Sequence, residues 1–232
     1  MSDRQVLKPG AFGRSVPCDA RRQVFDAQNE QILRSGKQVD CLFFGDSITE
    51  MWDVNLRFGF LGTTVNRGVG GDMTQYLLKR SEADVFQLSP KRLVFLAGIN
   101  DILTTAPDLW WKIEGAAPDA VLSSAKENIA TLMKRCRELG IRGYFCSVLP
   151  TDFCVPYCDF GLEEQVLALN EVIKRLCEEY GMTYVDYYSA LCDETRMHIR
   201  KGLTYDGVHP NADGYEIMAD VLKKALNHSI IQ

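Results

Sequence analysis

Val39-Asp40-Cys41-Leu42-Phe43-Phe44 runs directly into Gly45-Asp46-Ser47-Ile48-Thr49-Glu50. The first six residues form a short, mostly apolar run that ends at a glycine. Near-continuous apolarity is the pattern of a strand covered on both faces, not of one that alternates between core and solvent. Four further runs share it: Thr63-Thr64-Val65-Asn66, Arg92 to Ala97, Arg142 to Val148, and Thr183-Tyr184-Val185-Asp186. The segments between them carry apolar residues at helical spacing. Gln23 to Ser35 precedes the first strand and Met73 to Glu82 follows the second. Ala120 to Leu139 stops at Gly140, Gly161 to Tyr180 stops at Gly181, and Asn211 to Asn227 closes the series. Alternating strands and helices predict an α/β fold: a three-layer α/β/α sandwich around a five-stranded parallel sheet. In such sheets the chemistry gathers in loops leaving the C-terminal ends of the strands.

Composition bounds the rest. The chain has 232 residues, with 26 Lys and Arg against 31 Asp and Glu, a formal charge of −5. Hydrophobic residues make up 46% and charged residues 25%. Disorder as the main state is excluded, because a disordered chain combines few apolar residues with high net charge. The basic pairs Arg21-Arg22, Lys91-Arg92 and Lys223-Lys224 are scattered, whereas nucleic-acid binding draws on a basic patch or stripe. No nucleic-acid partner is expected. No stretch approaches the ~18 apolar residues of a membrane span. The opening Met1 to Pro9 lacks the apolar run of a signal peptide, so a cytoplasmic location is the expectation. One domain over residues 1–232 is expected at this length. Residues 1–20, with Pro9, Gly10, Gly13 and Pro17, read as an N-terminal extension: a strap on the domain or a homodimer contact.

The eight cysteines are at 18, 41, 136, 146, 154, 158, 177 and 192. Cys41 and Cys146 sit inside apolar runs, and Cys136 and Cys177 lie on helical stretches. Free thiols are expected, since a core of this size needs no disulfide framework. Cys154-x3-Cys158 is the closest pair, but no His follows at zinc-ligand spacing, so no metal is expected there.

Four loops carry candidate chemistry. In Gly45-Asp46-Ser47, glycine permits a sharp turn and Ser47 opens a helix, where unpaired backbone N–H groups favour negative charge. That suits a nucleophile whose attack creates an oxyanion; a plain helix cap fits the same tripeptide. Asn66-Arg67-Gly68-Val69-Gly70-Gly71-Asp72-Met73-Thr74 resembles a phosphate-binding loop only in part, because Met73 holds the third glycine position of G-x-G-x-x-G. Three glycines before a helix still give a tight turn with exposed donors. Asn100, in Gly98-Ile99-Asn100-Asp101, faces the same edge as Ser47, and its amide can donate to an oxyanion; turn chemistry is the other reading. In Asp206-Gly207-Val208-His209 the three-residue spacing lets the carboxylate reach the near ring nitrogen while the far one points away, as a general base requires. His198 and His228 have no comparable neighbours and read as ordinary histidines.

Together these blocks resemble the SGNH hydrolases, also called the GDSL esterase/lipase family, from about residue 40 to the C-terminus. The stretch Asn66 to Thr74 further resembles the branch that contains the platelet-activating-factor acetylhydrolase catalytic subunits. The resemblance implies the SGNH hydrolase form of the flavodoxin-like sandwich and a cofactor-independent serine esterase acting on a small-molecule ester. It implies Ser47 as nucleophile, His209 as general base and then acid, and Asp206 as the group that orients His209. The oxyanion donors would be the backbone N–H groups of Ser47 and Gly71 and the amide of Asn100. One departure is the loop from Thr104 to Asp119, longer than the family's usual turn and holding Trp110-Trp111. With Trp52, these tryptophans are expected to line the substrate pocket; core packing or a subunit contact is the other reading. A short acyl group such as acetyl is expected, since no long apolar segment suits fatty chains. The rival reading is a non-catalytic flavodoxin-like module holding a phosphorylated small molecule on Gly68–Gly71. A third is an interaction scaffold that keeps the fold without the activity.

Overall fold

The computed structural model describes residues 6–10, 16–107, 114–152 and 160–228. Five strands, β1 (Cys41–Gly45), β2 (Thr64–Gly68), β3 (Arg92–Leu96), β4 (Arg142–Cys146) and β5 (Thr183–Val185), form one sheet in the order β2-β1-β3-β4-β5. Every pairing is parallel. Side chains alternate across the sheet and both faces are covered, so all five residues of β1 are buried. Leu42, Phe44, Leu93, Phe95 and Phe145 meet α4 (Thr74–Asp84), α6 (Pro118–Glu138) and α7 (Leu162–Tyr180) on one face. Cys41, Phe43, Val94, Leu96 and Cys146 meet α9 (Ala212–His228) and the segment after β1 on the other. Burying each such side chain contributes about 1.5–3 kcal/mol before chain entropy is counted. This is the expected three-layer α/β/α sandwich.

The chain leaves β1 for β2 on one side and then β3 on the other. A crevice opens where the strand order reverses, at the C-terminal ends of β1 and β3. Glycine lets the loops close into it. A Cβ on Gly45 would lie 2.2 Å from the Leu96 carbonyl oxygen, and one on Gly68 would lie 2.2 Å from the Glu50 backbone nitrogen. The single-turn helix α2 (Ser47–Glu50) can therefore sit directly on the strand ends.

Several elements differ from the sequence expectation. The first helix, α1 (Val16–Ser35), starts before Gln23, so part of the expected extension is helix. Its first turns read as polar surface because Arg22 is charged. In the fold that side chain is 2% exposed and bonded to Asp26 and Asp84. Three short helices, α3 (Val54–Phe58), α5 (Ile99–Leu103) and α8 (Tyr187–Leu191), are too brief to show a period. Helix α6 begins at Pro118, whose missing N–H costs nothing in the first turn.

Trp52 takes the core-packing reading. It is 5% exposed, stacked on Tyr215 at 5.4 Å and packed edge-on against Phe43 and Phe58. Helix α2 is one turn long, so the chain has already turned under the sheet when it reaches Trp52. Trp110, Trp111, Cys154 and Cys158 lie outside the described residues. The cysteines at 18, 41, 136, 146, 177 and 192 are free thiols. Among the described residues no helix is long and apolar enough to cross a membrane.

Candidate active site

Ser47 opens α2 directly beyond β1. Asp46 caps that helix, accepting the Ile48 N–H at 3.0 Å. Two distant residues hold α2 in place: Asn66 of β2 donates to the Thr49 and Trp52 carbonyls, and Tyr215 of α9 donates its hydroxyl to the Ile48 carbonyl. At the far end of the chain, residues 204–210 turn back across the same edge. A Cβ on Gly207 would strike the Asp152 carbonyl, and its φ of +87° suits glycine alone.

This closure brings Ser47 Oγ to 2.9 Å from His209 Nε2, across 162 residues of sequence. His209 Nδ1 lies 2.7 Å from Asp206 Oδ2. Asp206 Oδ1 accepts the backbone N–H groups of Val208 at 3.0 Å and His209 at 2.8 Å. Partial burial pushes the Asp206 carboxyl upward, but the His209 backbone and ring and the Val208 N–H outweigh it and hold the group below its ordinary value. An ionised carboxylate therefore faces Nδ1. His198, by contrast, is half-exposed with Glu163 at 3.9 Å.

The loop after β2 borders the serine: a Cβ built on Gly70 would lie 3.7 Å from Ser47 Cβ. Gly71 takes a φ of +72°. Asn100 donates one amide N–H to the Asp72 carbonyl at 3.0 Å, which fixes the direction of its second. Asp101 accepts the Thr74 N–H at 2.9 Å and the Thr74 hydroxyl at 2.6 Å, tying the start of α5 to the start of α4. Below them lies a buried ion network that sequence reasoning missed. Arg80 donates to Asp72, Asp84 and the carbonyls of Gly45 and Arg67. Arg67 meets Asn29, and Arg22 meets Asp84. Arg80 and Asp84 are an i,i+4 pair within α4, but the other contacts join separate elements and no local pattern signals them. Removing one partner from a buried pair is strongly destabilising, since it strands the other charge. Among the described residues no group of three or more His, Cys, Asp or Glu side chains is placed to hold a metal ion.

Asp46 is 1% exposed, and burial, then the charges of Asp72 and Asp101, push its carboxyl up to about 7 against an ordinary 3.8; the Ile48 N–H offsets part of this. Its neutral form suits the fold, so its contribution is intact at acid pH and is lost as pH rises from about 4 through about 7. Asn keeps the cap without the charge. Asp46→Asn is expected to be more stable than the parent at pH 8 by about 2–4 kcal/mol, and the advantage should vanish near pH 4. Denaturant melts at both values check this; a constant difference would refute it.

A family model described as the GDSL-like lipase/acylhydrolase family matches residues 43–217. The chain belongs to that family. It is accordingly a carboxylic ester hydrolase, and an acetylxylan esterase of Geobacillus stearothermophilus is 25% identical to it over 216 residues, 81% of this chain and 93% of that one. Among solved structures, a GDSL-like lipase from Bacteroides thetaiotaomicron superposes with a TM-score of 0.73 at 24% identity, covering 89% of this chain and 97% of that one. A Streptococcus pneumonia structure described as a platelet activating factor gives 0.71 at 22%, covering 89% and 92%. At these identities the two structures speak for the fold alone.

Proposed function

We propose that this hydrolase is a serine esterase that removes a short acyl group, such as acetyl, through an acyl-serine intermediate. The observation that carries the proposal is the unbroken contact from Ser47 Oγ through His209 to Asp206, at 2.9 and 2.7 Å. A neutral serine is a weak nucleophile and needs a base within hydrogen-bond reach. In this reading His209 Nε2 takes the Ser47 proton as Oγ attacks the carbonyl carbon. The carbonyl oxygen becomes an oxyanion, received by the backbone N–H groups of Ser47 and Gly71 and the amide of Asn100. His209 then returns the proton to the leaving alcohol as the ester C–O bond breaks. Water, deprotonated by the same ring, releases the acid and restores Ser47. Asp206 holds the ring in the tautomer that leaves Nε2 free to accept.

The acetylxylan esterase relative supports the short acyl group. The rival phosphate-binding module is disfavoured by Glu50, whose carboxylate already accepts the Gly70 N–H at 2.5 Å. A phosphate there would meet a negative charge. The test uses a fluorophosphonate and a p-nitrophenyl ester series from acetate to octanoate. Labelling at Ser47 and a kcat/KM that falls with chain length are expected. Failure to label would overturn the serine mechanism, and a preference for octanoate would overturn the short acyl group.

A further inference from the structure

Resting on that reading, we propose that Glu50 and Arg21 are positioning residues that aim the Gly70–Gly71 peptide, and with it the Gly71 N–H, at the oxyanion. Two adjacent glycines bring no side chains of their own to fix the peptide between them, and glycine samples both signs of φ. The Asp72 N–H closes the turn on the Val69 carbonyl at 3.1 Å, but turns of opposite central-peptide orientation share that bond, so the direction is set from outside the turn. Helix α1 reaches the Gly70–Gly71 peptide itself through Cys18, while Glu50 and Arg21 fix the two peptides before it. The Gly70 N–H donates to Glu50 Oε2 at 2.5 Å. Arg21 Nε lies 3.1 Å from Glu50 Oε1 and donates to the Gly68 carbonyl at 2.6 Å. Cys18, one helical turn before Arg21, places its thiol 3.4 Å from the Gly70 carbonyl.

The geometry of the peptide unit completes the argument. In a trans peptide the C=O and the following N–H point in opposite directions. The Gly70 carbonyl faces Cys18 on α1, so the Gly71 N–H faces away from α1. Gly70 also stands beside the serine: a Cβ built on it would lie 3.7 Å from Ser47 Cβ and 3.2 Å from Glu50 Oε2. Arg21 and Glu50 are each about one-third exposed, at 33% and 31%. They line a cavity of about 850 Å³ between α1 and the edge strand β2, together with Cys18, Phe25 and Gly70. A pair this open adds little to global stability. Its consequence is local, at the loop it grips.

The experiment measures kcat and KM for p-nitrophenyl acetate, with kcat expressed per serine titrated by fluorophosphonate so that unfolded protein does not count. Loss of a whole oxyanion donor costs about 10²–10³-fold in kcat, and loosening one should cost less. Glu50→Ala is expected to lower kcat per titrated serine roughly 10- to 100-fold with KM within about twofold. Glu50→Gln keeps an acceptor for the Gly70 N–H but loses the charge, and should fall between. Arg21→Ala should match Glu50→Gln, Arg21→Lys should recover part of the loss, and the double change Arg21→Ala with Glu50→Ala should be no worse than Glu50→Ala alone. An unchanged kcat per titrated serine in Glu50→Gln and Arg21→Ala would overturn the inference, even if Glu50→Ala fails to fold. The underlying reading fails separately, if Ser47→Ala hydrolyses the ester normally.

Discussion

Ser47→Ala is expected to lower kcat by roughly 10⁴-fold or more while leaving the fold intact. The hydroxyl lies 2.9 Å from the far nitrogen of His209. Without it, the ring has no nucleophile to activate, and water must find the carbonyl unaided. The fold should tolerate the change for a specific reason. The cap of α2 is the Asp46 carboxylate, not the serine, and Gly45, Asn66 and Tyr215 hold the turn through backbone contacts that Ala preserves. A partly exposed Ser to Ala change away from a cap shifts stability by about 0.5 kcal/mol or less. Hydrolysis and thermal unfolding measured on one preparation separate the two effects. KM should move far less than kcat, because the proposed donors at Gly71 and Asn100 remain. Retention of more than about a tenth of the parental kcat would remove Ser47 from the mechanism.

Different parts of the fold and site were legible to different degrees. The five strands could be read because burial on both faces leaves them few polar positions, and Val39 to Phe44 shows this most plainly. Helix α1 could not be dated to Val16, because Arg22 looks like a surface residue until Asp26 and Asp84 neutralise it across the fold. The proximity of Asp206 to His209 follows from their spacing, which is local. Their meeting with Ser47 does not, since it depends on where the strand ends lie. Trp52 is the reverse case: the sequence leaves pocket wall and core packing open, and a one-turn helix sends the ring into the core. Nothing in Asp46-Ser47-Ile48-Thr49-Glu50 singles out Glu50. Only the folded loop reveals the Gly70 N–H in front of it.

Removal of the ring in His209→Ala should cost about as much as removal of the hydroxyl, roughly 10⁴-fold in kcat, and the double change with Ser47→Ala should cost no more than either alone. Residues that act as one unit fail together. Asp206→Asn is the more discriminating variant. The two backbone N–H groups now held by Oδ1 would claim the amide oxygen of Asn. Its NH₂ would then face Nδ1 of His209 in place of Oδ2. A donor in that position forces the ring proton onto Nε2, so the nitrogen beside Ser47 could no longer accept. The expected loss is about 10⁴-fold in kcat, with little change in KM. The pH profile of the parent enzyme gives the complementary measurement. Because its hydrogen bonds hold the Asp206 carboxyl below the ordinary carboxylate range, protonation of Asp206 should not cut activity until the pH falls below about 4. An acid loss above that pH that disappears in Asp206→Asn would contradict this, and a parental rate in Asp206→Asn would show that the carboxylate does not set the tautomer.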